Sequence, residues 1–183
     1  MLRVIAGKYK RTPLQTLEGE EITRPTRDMV REALFSTILI HNETSFLDLF
    51  SGSGAIGIEA LSRGAKDVVF NDINREAVSI IKKNLEKVRE DRTVFQLDYR
   101  QALQKLENKG FDFIYCDPPY RFEEYEELFE LIERYNVIND DGVVIMEVEK
   151  KSELDEAYGT MHIYKEKRYG ISKLLYYRKG EKE

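Results

Sequence analysis

From Ser45 onward the sequence predicts an α/β fold, a mostly parallel sheet wrapped by helices and ending in an antiparallel hairpin. Three observations predict it. Short apolar runs at Phe46–Phe50, Val68–Asn71, Thr93–Leu97, Phe111–Cys116 and Val143–Val148 have the length of buried strands. Helical spacing fills the gaps, as at Ala77, Ile81, Leu85 and Val88 and again at Leu128, Leu131, Ile132 and Tyr135, and such alternation builds parallel βαβ units. Two further strand-like runs, His162–Arg168 and Ile171–Arg178, meet around Gly170 with no room for a crossover, so they pair antiparallel.

The elements before and between these follow in chain order. Val4–Ile5 and the segment before Pro13 predict a small hairpin, followed by the polar loop Gly19-Glu20-Glu21. Pro25 and Thr26 mark a helix start with Thr26 as its cap, and Met29, Val30, Ala33, Leu34 and Ile38 form one apolar face. After Glu149 a short helix is expected near Ser152–Tyr158, ahead of the closing hairpin. The chain therefore divides into an appendage, residues 1–25, and a main domain, residues 26–183.

Composition narrows the chemistry. With 183 residues, 42% of them hydrophobic, the chain can bury one substantial core. It has neither an apolar run of about 18 residues nor the pattern of a signal peptide, so a cytoplasmic protein without a membrane contact is expected. Cys116 is the single cysteine and there are two histidines, which excludes an internal disulfide and argues against a metal site. The net charge of −5 runs against nucleic-acid binding, but its distribution does not. Arg3, Lys8, Lys10 and Arg11 fall in an acid-free segment, whereas Glu123 to Glu156 is dominated by Glu and Asp.

Two motifs carry the chemistry. Asp48-Leu49-Phe50-Ser51-Gly52-Ser53-Gly54-Ala55-Ile56-Gly57 lies where a strand gives way to a helix, and its glycines let the backbone turn tightly and approach a ligand. Asp72 and Asp98 end the next two strands, so three acids converge on the sheet edge where such folds bind nucleotides. Asp48 would repel a dinucleotide pyrophosphate but can hold the ammonium group of S-adenosylmethionine. The second motif, Asp117-Pro118-Pro119-Tyr120, follows the strand Phe111–Cys116. Its prolines fix the backbone and remove two donors, leaving preorganised acceptors. Asp117 and the Pro118 carbonyl can pull on the protons of a base amine, and Tyr120 offers a face for stacking. This arrangement reads as a class I (Rossmann-like) S-adenosylmethionine-dependent methyltransferase acting on an exocyclic amine.

Across essentially the whole chain the sequence resembles the RsmD family of bacterial ribosomal RNA guanine-N2 methyltransferases. The specific matches are Arg3-Val4-Ile5-Ala6-Gly7-Lys8, Arg24-Pro25-Thr26-Arg27-Asp28 and Arg31-Glu32-Ala33-Leu34-Phe35. The resemblance implies methyl transfer to one guanine of 16S RNA, guanine 966, within an assembling 30S particle, by a monomer. It also implies that Thr26, Asp48, Phe50, Gly52, Gly54, Asp72, Ile73, Asp98 and Tyr99 hold the cofactor, that Asp117, Pro118 and Tyr120 position the base, and that Arg3, Lys8, Lys10, Arg11, Arg24, Arg27 and Arg121 contact RNA. Two departures from the family pattern stand out. Arg11-Thr12 stands where the family often has Gly and a basic residue, which predicts a different bend, and Asn74 replaces a common second acid. The competing readings are an adenine-N6 methyltransferase, a glutamine-amide methyltransferase, a nicotinamide-dependent dehydrogenase built on the glycine loop, and a non-catalytic RNA-binding protein.

Overall fold

A computed structural model describes residues 1–18 and 24–180, the side chains of residues 24–27 excepted. Among the described residues, five helices and eight strands follow one another as α1 (Arg24–Thr37), β1 (Ser45–Asp48), α2 (Ala55–Ser62), β2 (Asp67–Asn71), α3 (Arg75–Lys87), β3 (Val94–Phe95), α4 (Tyr99–Lys105), β4 (Phe111–Cys116), α5 (Tyr125–Arg134), β5 (Ile138–Glu149), β6 (Ala157–Tyr158), β7 (Met161–Tyr169) and β8 (Ser172–Lys179). The strands form a single sheet in the order β3-β2-β1-β4-β5-β8-β7-β6. β1 to β5 are parallel and β8, β7 and β6 antiparallel.

The side-chain period of two sorts each strand onto two cores. Phe46, Phe70, Tyr115 and Ile145 face α1, α2 and α3, while Leu47, Val69, Ile114, Val144 and Met146 face α4 and α5. The stripe Ala77, Ile81, Leu85 and Val88 is buried as its spacing predicts. In α1 the apolar face is rotated: Met29 is 51% exposed, and Arg31 and Phe35 are buried beside Val30, Leu34 and Ile38. The helix also begins at Arg24, so Thr26 lies inside its first turn and does not precede it as a cap.

Two further expectations are corrected. The ladder of the third strand is confined to Val94–Phe95. No helix forms near Ser152–Tyr158, where Leu154 and Tyr158 imitate a helical spacing. Gly159 adopts φ 56 and turns the chain so that Ala157 and Tyr158 pair with His162 and Met161, and Tyr158 stacks on Phe129 at 4.7 Å. These contacts outweigh the propensity of a short acidic segment.

The N-terminal hairpin is present, pairing Arg3 with Pro13 through bonds from Val4 N to Thr12 O and from Arg11 N to Val4 O. Arg11 takes φ 72, the left-handed backbone that glycine favours, so the turn closes without glycine there. The hairpin is fastened to α2. Glu59, fully buried, accepts from the amides of Ile5 at 2.8 Å and Ala6 at 3.0 Å, and Ser62 Oγ accepts from Tyr9 N at 2.9 Å. The basic hairpin thus sits over the α1 to α3 side, and the acidic α5 packs on the opposite side of the sheet.

Candidate functional site

The strand order reverses direction between β1 and β4, and in open α/β sheets ligands bind beyond the carboxyl ends of the strands at this switch. There the glycine loop passes from β1 to α2 with Gly52 at φ 53 and Gly54 at φ 76, conformations that side chains resist. A Cβ at Gly57 would come within 2.2 Å of Phe70, so the third glycine allows α2 to lie on the sheet. Asp72, just past β2, accepts from Gly52 N and from Asn74 N, each at 2.8 Å. Asn74 in turn caps α3 by accepting from Glu76 N. Its replacement of an acid is thus a helix cap.

Asp48 is 1% exposed and accepts from Gly57 N at 3.0 Å through Oδ2. Its Oδ1 is buried with no hydrogen-bond partner. Burial, with the charge of Asp72 adding to it, raises its pKa to about 7, against the amide of Gly57 pulling down. The same cavity, of about 120 Å³, is lined by Arg31, Phe50, Asp117 and Glu147. Arg31 is 3% exposed and donates through Nη2 to the carbonyl of Arg3 at 2.6 Å and to Asp28 at 2.9 Å. Its Nε and Nη1 are buried without partners, and burial lowers its pKa. A buried acid and a buried base, each with an unmet polar atom, therefore share one small cavity. Unmet buried polar atoms cost free energy, and an acid and a base so placed are matched in charge to a zwitterionic ligand.

Around the far side of the loop, the side chain of Asp98 caps α4, accepting from Arg100 N at 3.0 Å. The buried Asn71 donates to Leu49 O at 3.1 Å and Leu97 O at 3.0 Å, tying the ends of β1 and β3 together. Ile73 is an apolar side chain 67% exposed beside Asp72. Phe50 packs against Tyr99 and Phe122 at 5.9 and 5.6 Å. Tyr99 is only 5% exposed, and its hydroxyl donates to Glu127 at 3.2 Å.

The Asp117-Pro118-Pro119-Tyr120 turn leaves the end of β4 and opens into a second cleft of about 530 Å³, lined also by Arg121, Glu147, Lys151 and Ile171. Tyr120 is 74% exposed, with Lys151 Nζ 5.8 Å from its ring centroid. Asp117 and Glu147 line both the small cavity and this cleft, so the two spaces meet at a pair of carboxylates. Sequence reasoning missed Arg31 and Glu147. For Arg31 the signal was a charged residue within the apolar stripe of α1; for Glu147 it was an acid at an inward position of a buried strand.

Of the residues expected on RNA, Arg3, Lys10 and Arg11 are exposed on the hairpin and Arg121 in the cleft. Lys8 is held by Glu90 at 2.8 Å, which raises its pKa through that hydrogen bond first and a second one to Tyr9. The expectations for the side chains of Arg24, Thr26 and Arg27 lie outside the described residues. Among the described residues, no group of three or more His, Cys, Asp or Glu is placed to hold a metal ion, and no helix is long and apolar enough to cross a membrane.

The sheet order, the glycine loop and the proline turn together define a class I S-adenosylmethionine-dependent methyltransferase. Comparisons with known proteins narrow this. The profile of the family described as "Conserved hypothetical protein 95" matches residues 2–178. The chain is 34% identical over 183 residues to a putative rRNA methyltransferase, YlbH, of Bacillus subtilis, covering 97% of this chain and 99% of the relative. It is 33% identical over 158 residues to ribosomal RNA small subunit methyltransferase D of Haemophilus influenzae, covering 84% and 81%. A solved structure of the putative methyltransferase yhhF from Escherichia coli superposes with a TM-score of 0.81 at 28% identity, covering 99% of both chains. The chain belongs to the RsmD family.

Proposed function

We propose that this protein transfers a methyl group from S-adenosylmethionine to the exocyclic N2 amine of a guanine in small-subunit ribosomal RNA, guanine 966, as a cytoplasmic monomer acting on an assembling 30S particle. The observation that carries the reading is the meeting of the cavity and the cleft at Asp117, directly on the Asp117-Pro118-Pro119-Tyr120 turn. When bound, S-adenosylmethionine supplies an electrophilic methyl group. Asp48 takes its ammonium and Arg31 its carboxylate. Asp72 takes the ribose hydroxyls, and Ile73 and Phe50 flank the adenine, near Asp98 and Tyr99. Gly52 and Gly54 let the loop backbone approach it, and Thr26 is assigned to its methionine end.

On the acceptor side, Asp117 and the Pro118 carbonyl accept from the two N2 protons, holding the nitrogen lone pair toward the cavity. Tyr120 stacks on the extruded base. Residues 1–25, with Arg3, Lys10 and Arg11, form an RNA-facing appendage to the domain of residues 26–183, with Arg24, Arg27 and Arg121 as further phosphate contacts. Mass spectrometry of digested ribosomal RNA from cells lacking the protein tests this directly. The expected result is loss of one N2-methylguanine from the small subunit; an unchanged set of methylguanines overturns the reading.

Asp72→Ala removes the ribose acceptor and also the carboxylate that steadies Gly52. S-adenosylhomocysteine affinity should fall roughly tenfold to hundredfold, the loss of about 1.5–3 kcal/mol for hydrogen bonds to a charged group. Calorimetry measures it, and a preference for NAD over S-adenosylhomocysteine would return the glycine loop to the dehydrogenase reading.

The appendage is tested by salt. Because Lys8 is paired with Glu90, Lys10 and Arg11 are the hairpin cations between Gly7 and Thr12 without an ion pair among the described residues, and the variant combines Lys10→Ala with Arg11→Gly, the latter suiting the left-handed backbone. Two lost contacts to single-stranded RNA should flatten the slope of log affinity against log salt by roughly 1.4. Filter binding across a salt series reads the slope. An unchanged slope in a folded variant would move RNA capture to Arg121 and its neighbours.

A further inference from the structure

The acceptor cleft holds a second carboxylate to which the reaction above gives no task. Glu147 lies on β5, and the pairing of Cys116 with Met146 brings Asp117 and Glu147 to the next step of the parallel β4–β5 ladder, where neighbouring strands run about 4.8 Å apart. Both line the cleft. Glu147 is fixed from within the sheet, because the hydroxyl of Tyr115 donates to its Oε2 and Tyr115 is itself 2% exposed. Asp48, Tyr115 and Glu147 share one face of the sheet on β1, β4 and β5 in that order. Glu147 is thus displaced from the Asp48 end of the donor cavity toward the acceptor side. An ionised carboxylate has about four acceptor sites, so Glu147, held by the phenol at Oε2, still presents acceptor capacity to a base-sized cleft.

We propose that Glu147 selects guanine by accepting a hydrogen bond from N1–H, next to the N2 amine held by Asp117. The inference rests on the guanine reading above. A flipped base is read along its pairing edge. Guanine offers adjacent donors there, N1–H and the N2 amine, whereas adenine offers one amine beside the bare acceptor N1. An ionised carboxylate only accepts. Two adjacent carboxylates therefore match guanine, and with adenine's amine on Asp117 the second would oppose the N1 lone pair. Sites built to bond a donor reject analogues that lack it more strongly than apolar pockets reject a missing methylene.

The test uses an RNA hairpin around the methylated guanine and the same hairpin with 2-aminopurine in its place, which keeps the N2 amine and replaces N1–H by an acceptor. The unaltered protein should methylate guanine about 10- to 100-fold faster than 2-aminopurine, the range of one charged hydrogen bond. In Glu147→Gln the amide can donate to N1, so the preference should shrink to within about threefold or invert, with S-adenosylhomocysteine affinity unchanged by calorimetry. Tyr115→Phe, which frees Glu147 from its anchor, should narrow the preference part-way, and it carries the test if Glu147→Gln does not fold. A preference retained in both variants, with both RNAs slowed alike, overturns the proposal, as does a matching loss of S-adenosylhomocysteine affinity. Failure of the unaltered protein to methylate guanine both in the hairpin and in 30S particles from cells lacking it overturns the guanine reading itself, and this inference with it.

Discussion

Asp117→Ala should lower methyl transfer about 100-fold or more, the range of a positioned acid–base group, while S-adenosylhomocysteine affinity stays within a few fold. The separation follows from the layout. Asp117 lies at the junction of the two spaces, but the unmet polar atoms of the donor cavity belong to Asp48 and Arg31. Removing Asp117 takes an acceptor from the target amine and leaves those atoms in place. Tritiated methyl donor with ribosomal substrate measures the rate, and calorimetry the affinity. Tyr120→Ala, by comparison, should lose about 1–3 kcal/mol of base stacking, in keeping with a ring that is mostly exposed until a base covers it. Near-normal turnover in the Asp117 variant would show that the proline turn is only a rigid connection.

Asp48→Asn should weaken S-adenosylhomocysteine binding by about 100-fold at pH 8 and, at the same pH, make the protein more stable. The sign comes from the raised pKa. Between the unfolded value of 3.8 and the folded value of about 7 the folded state binds a proton that the unfolded state does not, so stability falls as pH rises through this window and levels above it. Integrated, the shift corresponds to on the order of 4 kcal/mol, which asparagine escapes. The advantage of the variant in Tm should therefore grow from pH 4 to pH 7 and then stay constant. Cofactor affinity runs the other way. The parent needs an ionised Asp48 to hold an ammonium group, so its affinity should climb between pH 6 and pH 8, and that of the variant should not. Scanning calorimetry and titration at three pH values read both curves. Parallel affinity curves in parent and variant would remove Asp48 from the ammonium role.

The parallel core was legible in the sequence because buried strands must be apolar and their helices must show one stripe; Phe111–Cys116 is a strand in both. The glycine loop and the proline turn were legible because their chemistry depends on backbone that few residue types supply. What escaped was decided by partners distant in sequence. Ala157 and Tyr158 join a strand on the strength of Phe129 and the turn at Gly159. Arg31 looks like an error in the α1 stripe until the carbonyl of Arg3 and the cavity wall surround it. Lys8 resembles any other cation of its segment, and only the folded chain brings Glu90 to it. Tyr99 follows Asp98 in sequence, yet the helix that Asp98 caps turns its ring into the core.

The eight residues of α2 answer to two surfaces at once. At one end the amide of Gly57 meets Asp48; at the other, Glu59 and Ser62 satisfy the amides of Ile5, Ala6 and Tyr9. Further out, Asn84 on α3 both accepts from and donates to the backbone of Gln15, and donates to Ser53 O in the glycine loop. The appendage is therefore not a detachable module. A chimera that grafts residues 1–18 onto another methyltransferase must carry Glu59, Ser62 and Asn84 with them, or the transplanted strand will present unmet amides to an apolar helix and peel away. Conversely, a designer who redraws the cofactor loop around Ser53 inherits the docking of the hairpin as a constraint.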